Sequence, residues 1–342
     1  MKRFFFLAVA ATMTFAACSK TEVVPTGDAQ EISFTAVNKV ATKVPVDGTA
    51  FKEGDDMHVA AYIVAGSETD GNFFGSTHFT KKVGADYWTG NPARYWPLTS
   101  SKINFLAVTG TGGGASNSTT TFTGSYASGA TVTLNDNSAF NQNDLMFAAG
   151  QGTHTQGGAY VAVPMVFKHA LSWVKFIVCK KDAAGYDIVV NSIKLNGASY
   201  QGTLTLTNEQ FDEETAQETD NVEAVWSDTT PKDGVLVPNV AGSDAAERLT
   251  LSYSSSGFAT SEFGNGLLVV PGYATSFTIN YTLTQDGGVA NTFDYTYTLP
   301  AEGEWKMAKA YLYYISFDLN EIEIKPEVKD WASEMPEASL DK

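Results

Sequence analysis

Cysteine is almost missing from this chain. Two occur in 342 residues, Cys18 and Cys179. Two thiols cannot build a disulfide framework, so stability has to come from burial of apolar surface. Histidine is nearly as scarce: His58, His78, His154 and His169 are the four, and no two stand at the spacing of a metal motif. A Gly-x-Ser-x-Gly elbow is lacking, and no carboxylate pair stands apart from ordinary solvated acids. The run Gly110-Thr111-Gly112-Gly113-Gly114 lacks the Lys-Ser/Thr of a phosphate loop, and Asn135-Asp136-Asn137 lacks the Gly and terminal Glu of an EF-hand. These gaps leave no support for an enzyme, a cofactor or a metal. Positive charge is short too: 22 Lys and Arg face 38 Asp and Glu, a net −16. Such a chain repels phosphates, which excludes nucleic acid as a partner.

What the chain has is strand-forming residues. Aromatics make up 12%, with 21 Phe and 15 Tyr, and these favour strand over helix. The central stretch, residues 161–180, is the clearest case. Val161, Val163, Met165, Phe167 and Leu171 alternate as on a strand with one buried face, and Pro164 argues against a helix. From Trp173 to Cys179 both faces are apolar, so this segment has to be covered on both sides. Short strands recur at 31–37, 57–64, 103–108, 187–195, 249–253, 267–270, 276–283, 293–299, 311–319 and 321–328, separated by Gly, Pro and Ser. That spacing predicts an all-β fold of β-sandwiches. The Gly-rich passage 150–158 reads as a linker and places a boundary between domains 31–157 and 158–342. Residues 210–228 are acidic and read as an exposed insertion.

The amino end reads as an export signal. Lys2 and Arg3 precede an apolar stretch, 4–15, too short to span a membrane. Ala16-Ala17-Cys18 then resembles a bacterial lipobox. Residues 1–17 are the expected signal peptide, Cys18 the lipidation site, and 18–30 a polar tether to a membrane. Cys179 reads as a small buried hydrophobe, and His169 as a packed, hydrogen-bonded histidine. Trp88, Tyr95 and Trp96 are candidates for stacking on a glycan, set against their reading as core plugs.

Several passages, in order, carry a resemblance to a known family. Ile32-Ser33-Phe34-Thr35 follows the signal, and Phe51-Lys52-Glu53-Gly54-Asp55 precedes a strand. Tyr95-Trp96-Pro97 leads into Ile103-Asn104-Phe105-Leu106-Ala107. Asn143-Asp144-Leu145-Met146-Phe147-Ala148 comes before Val166-Phe167-Lys168-His169-Ala170-Leu171-Ser172. Val269-Val270-Pro271, then Trp305 through Tyr313 and the Asp330-Trp331 pair complete the series. The chain resembles the fimbrillin family of bacterial pilus subunits and associated lipoproteins.

The resemblance implies two tandem transthyretin-like β-sandwich domains, an outer-membrane lipoprotein displayed at the cell surface, and other pilin subunits as partners. It also implies cleavage by a trypsin-like protease after the first strand, and filling of the opened groove by a neighbour's C-terminal segment. Family members usually carry Arg at the cut; here Lys43, or Lys39, stands in. The corresponding donor is 321–331, with Ile322, Ile324, Val328 and Trp331, although Pro326 interrupts its ladder. The same segment reads equally well as the last strand of its own domain. The alternative function is a non-polymerising surface lipoprotein that binds glycans or host ligands.

Overall fold

Every regular element of the computed structural model is a β-strand, as the aromatic and β-branched composition requires, and no helix occurs among the described residues. The structure describes residues 30–38, 51, 56–66, 71–111, 123–125, 129–135, 137, 142–155, 158, 161–208, 222–237, 239, 248–254, 261–272, 274–300 and 304–331. Cys18, Lys39 and Lys43 lie outside them.

Seven strands close into a barrel: β1 (Ser33–Asn38), β4 (Trp88–Asn91), β3 (Gly71–Lys81), β2 (Asp56–Gly66), β5 (Ser101–Thr111), β8 (Asp144–His154) and β9 (Val163–His169), in that spatial order. Neighbours are antiparallel except β1 and β9, which run parallel and complete the ring. The interior is aromatic. Phe34 of β1 meets Phe79 and Phe105 edge-on, with ring centroids 4.9 and 5.1 Å away. Phe51 wedges between Trp88 and Phe167 at 5.3 and 5.2 Å.

Three further sheets hold most of the remaining strands. One joins β6 (Thr123–Ser125), β7 (Gly129–Leu134), β13 (Gly202–Asn208) and β14 (Val222–Ser227). A second is built on β10 (Ser172–Lys180), with β18 (Ser261–Glu262) and β19 (Leu267–Val269) on one side. On the other side β22 (Lys309–Phe317) runs parallel to β10, and β23 (Ile322–Asp330) forms the edge. A third holds β11 (Tyr186–Asn196), β16 (Val235–Val237), β17 (Leu249–Thr250), β20 (Ser276–Gln285) and β21 (Asn291–Thr298). A small ladder pairs β12 (Ala198–Ser199) with β15 (Pro231–Lys232).

The β10 strand is covered on both faces, as its sequence demands. Val174, Phe176 and Val178 face a core shared with β11, β20 and β22, the filling of a sandwich. Trp173 and Ile177 face the opposite way into a second core. That core is a seam: it also takes Ala60, Tyr62, Leu106 and Phe147 from the barrel's outer face, and Val132, Leu204 and Leu206 from the four-stranded sheet. Two lysines on β10 are tolerated because each finds a partner. Lys175 reaches Glu262 at 2.9 Å and lies over the Trp173 ring, and Lys180 donates to the Tyr186 carbonyl.

Three expectations need correction. The first unit is a closed barrel, because β1 bridges β4 and β9 where an open sandwich would leave a gap. The Gly-rich passage 150–158 begins inside β8, and its glycines serve close packing. A Cβ on Gly150 would stand 2.6 Å from Met165 Sδ, and one on Gly152 2.5 Å from the Trp96 ring. The expected boundary at 157/158 therefore falls between two strands of one barrel, and the chain leaves the barrel only at Ala170 and Leu171. The acidic segment 210–228 contains β14, whose Trp226 packs against the seam and donates its indole N–H to the Ala170 carbonyl at 2.8 Å.

Candidate functional site

The two ends of the described chain are the elements that an exchange of strands would use, and the fold treats them differently. At the amino end, Ile32 and Phe34 are fully buried, and Ala36 packs beside them in the barrel interior. The inward face thus follows i, i+2, i+4 spacing. The sequence suggests an edge strand here, yet β1 is paired on both sides. Phe34 stands opposite Trp88 on β4 and Val163 on β9. The preceding residues are tied as well: Ile32 N–H donates to the Arg94 carbonyl at 2.7 Å, and Trp96 N–H to the Gln30 carbonyl at 2.9 Å. Short sequence patterns do not reveal a parallel closing pair, because its partner β9 lies about 130 residues away.

At the carboxyl end, β23 is an edge strand that pairs with β22 along its length, Ile324 opposite Ile315. Ile322 and Ile324 are half-buried against the sandwich core. Val328 is exposed, at 57%. Pro326 stands opposite Tyr313, and Lys and Glu fill the positions between, the usual protection of an edge. Trp331 follows this strand directly, and it is fully buried in the seam.

Trp331 is seated by two rings. Its indole lies on the His169 imidazole with centroids 4.0 Å apart and planes within 2°, and 5.6 Å from the Trp173 ring. His169 is oriented from below by a contact of 2.8 Å between its Nδ1 and Asp144 Oδ1, both side chains buried. The backbone closes the arrangement. Trp331 N–H donates to the Ala308 carbonyl at 3.0 Å, while Ala308 N–H donates to the Leu171 carbonyl at 3.0 Å. Ala308 sits at φ 56°, a left-handed conformation that costs a non-glycine residue roughly 1–2 kcal/mol. One strained residue therefore links the end of the barrel to the last described residue. Three polar atoms of this seat, Asp144 Oδ2, His169 Nε2 and Trp331 Nε1, are buried without a hydrogen-bond partner among the described residues. Such atoms carry a desolvation cost of about 1–3 kcal/mol each. Ring stacking and fit hold Trp331, and its own indole N–H adds nothing.

The aromatic candidates for glycan stacking are placed elsewhere. Trp88 and Trp96 are 1% and 6% exposed inside the barrel, so neither offers a face to a sugar. The expectation fails for both, because the barrel interior claims their rings. Tyr95 is half-buried beside them, its backbone bridged to Glu31. Cys179 is a buried thiol, its Sγ 3.3 Å from Ser316 Oγ, and burial pushes its pKa up. Among the described residues, no group of three or more His, Cys, Asp and Glu side chains is arranged to hold a metal, and no helix is long and apolar enough to cross a membrane.

No curated protein matches the chain. Among solved structures it is similar to a fimbrial protein from Bacteroides vulgatus, at 15% identity and TM-score 0.49, over 87% of this chain and 99% of that one. It is similar to a fimbrial assembly protein from Parabacteroides distasonis, at 12% identity and TM-score 0.42, over 88% and 98%. A third is the tip fimbrial protein Mfa3 from Porphyromonas gingivalis, at 10% identity and TM-score 0.36, over 89% and 100%. The model of the Fimbrillin-like family matches residues 42–331, most of the chain. On that match the chain belongs to the Fimbrillin-like family.

Proposed function

We propose that this protein is a structural subunit of cell-surface fimbriae, assembled by exchange of strands between copies or with other pilin subunits. It reaches the outer membrane as a lipoprotein acylated on Cys18. It is then cut in the segment after β1, at Lys43 or Lys39, and β1 leaves. In this reading the two units are the tandem transthyretin-like domains of the family, the first drawn into a closed barrel by β1.

The observation that carries the reading is the place of β1. It closes a barrel whose interior it fills with Ile32 and Phe34, and residues 39–50, which hold both lysines, join it to the rest. Its loss would leave unpaired N–H and C=O groups on β4 and β9 beside an apolar slot, a combination that a strand from elsewhere repairs. The donor is 321–331 of the next subunit. Ile322 and Ile324 have the same i, i+2 spacing as Ile32 and Phe34. Pro326 then falls where Ala36 stands and removes one ladder donor. Donation requires β23 to leave its own sheet, which its edge position allows, and to draw Trp331 out of its seat against His169.

A Lys39→Gln, Lys43→Gln double variant tests the processing step in the native host. Expected is loss of the shortened form and of surface fimbriae, with the uncut lipoprotein retained in the outer membrane. Normal fimbriae from this variant would refute it.

A further inference from the structure

Read along the chain, the histidines match no metal motif, yet the fold brings two of them together. His58 on β2 and His78 on β3 are direct cross-strand partners. Their ring centroids are 3.9 Å apart with planes at 62°. Ala60 and Tyr62, which share a face with His58, run beneath the seam, so the pair sits at the seam's rim. His78 is exposed there, its side chain at 54%. The β2–β3 register shifts between Val59 and Ala61, an irregularity of the kind that re-aims side chains next to sites.

Each imidazole has a polar neighbour at its Nδ1, a hydroxyl at hydrogen-bond distance for His58 and a carboxylate at ion-pair distance for His78. His58 Nδ1 lies 2.9 Å from Ser76 Oγ, and His78 Nδ1 lies 3.7 Å from Asp56 Oδ2. Metal-binding histidines show this division of labour: one ring nitrogen is given to a hydroxyl, carbonyl or carboxylate, and the other to the ion. A chain of net charge −16 also concentrates cations around itself.

We propose that His58 and His78 form a two-imidazole site for a transition-metal cation of the zinc, nickel or copper(II) class, bound through both Nε2 atoms, with water completing the coordination. Imidazole nitrogens suit these ions, whereas calcium and magnesium require oxygen cages. Two protein ligands leave open positions, so the ion is exchangeable. It staples β2 to β3 on the outside of the barrel and is independent of strand exchange.

The test is calorimetric titration of the chelator-treated full chain with zinc, nickel and calcium chlorides near neutral pH. Zinc and nickel are expected to fill a single site, and calcium none. His58→Asn and His78→Asn each weaken binding by more than about 10-fold, and Asp56→Asn by about 10-fold. His154→Asn leaves affinity unchanged, because His154 stacks on Trp96 away from the pair. A second measurement does not depend on the variants folding. Nickel added to the wild-type chain should broaden the ring resonances of two histidines and spare the other two. Absent zinc and nickel uptake, equal affinity in both histidine variants, or uniform broadening of all four histidines would each overturn the site.

Discussion

The indole of Trp331 lies flat on the imidazole of His169, with ring centroids 4.0 Å apart. This contact joins the last described residue of the chain to the last strand of the barrel. It makes the carboxyl-terminal strand a fastened element, where the sequence leaves open whether it is free or fixed. Trp331→Ala should cost about 3–5 kcal/mol in denaturant unfolding. It should also speed amide exchange across β23 well beyond the change in β11 or β20. Equal acceleration everywhere would mean that Trp331 contributes only to global stability.

Below it, the Asp144–His169 pair obeys the asymmetry of buried polar groups. Asp144→Leu alone leaves His169 without its partner and should destabilise by about 1–3 kcal/mol. The double change Asp144→Leu, His169→Leu should recover part of that loss, since it also removes the partnerless Oδ2 and Nε2. A double-mutant cycle read by urea denaturation separates these outcomes; strict additivity would contradict the pairing.

Gly150 tests the barrel's closure. A Cβ there would stand 2.6 Å from Met165 Sδ and 2.9 Å from the Pro164 carbonyl oxygen. The backbone atom cannot turn aside as a side chain does. Gly150→Ala should therefore cost about 1–3 kcal/mol through overpacking between β8 and β9. A linker glycine would accept alanine with no loss, so a thermal melt distinguishes the two roles.

Alkaline pH should loosen the sandwich. Burial pushes the phenol of Tyr313 up to about 12, with the Trp305 indole hydrogen bond opposing. An unfolded tyrosine titrates near ~10. The folded value is the higher, so this contribution is intact below pH ~10 and is lost as pH rises through about 12. Circular dichroism over that window should show falling stability with a slope that is shallower in Tyr313→Phe. An unchanged slope would place the alkaline sensitivity elsewhere.

Much of the fold is legible in local pattern. The two-faced run 173–179 names a strand between two cores, and the alternation at 276–283 names β20. What the sequence conceals depends on distant partners. The closure of β1 on β9, the joining of β13 to β7 and the meeting of His58 with His78 all pair segments that no window contains. Composition misleads at 150–158, where glycine signals close approach in β8, and at 210–228, where acidic residues hide the strand carrying Trp226. Trp88 and Trp96 show the same limit: an aromatic near a strand end looks alike whether it plugs a barrel or faces solvent.

The central claim is that β1 is a removable closure whose place a second subunit takes, and cysteine trapping tests it most directly. In a chain carrying Val163→Cys and Ile324→Cys, a donor strand in the place of β1 would bring Ile324 opposite Val163, as Phe34 is now. Strand exchange predicts a ladder of reducible multimers that appears only after trypsin has cut beyond β1. Complete cleavage with the chain still monomeric under oxidising conditions would contradict it.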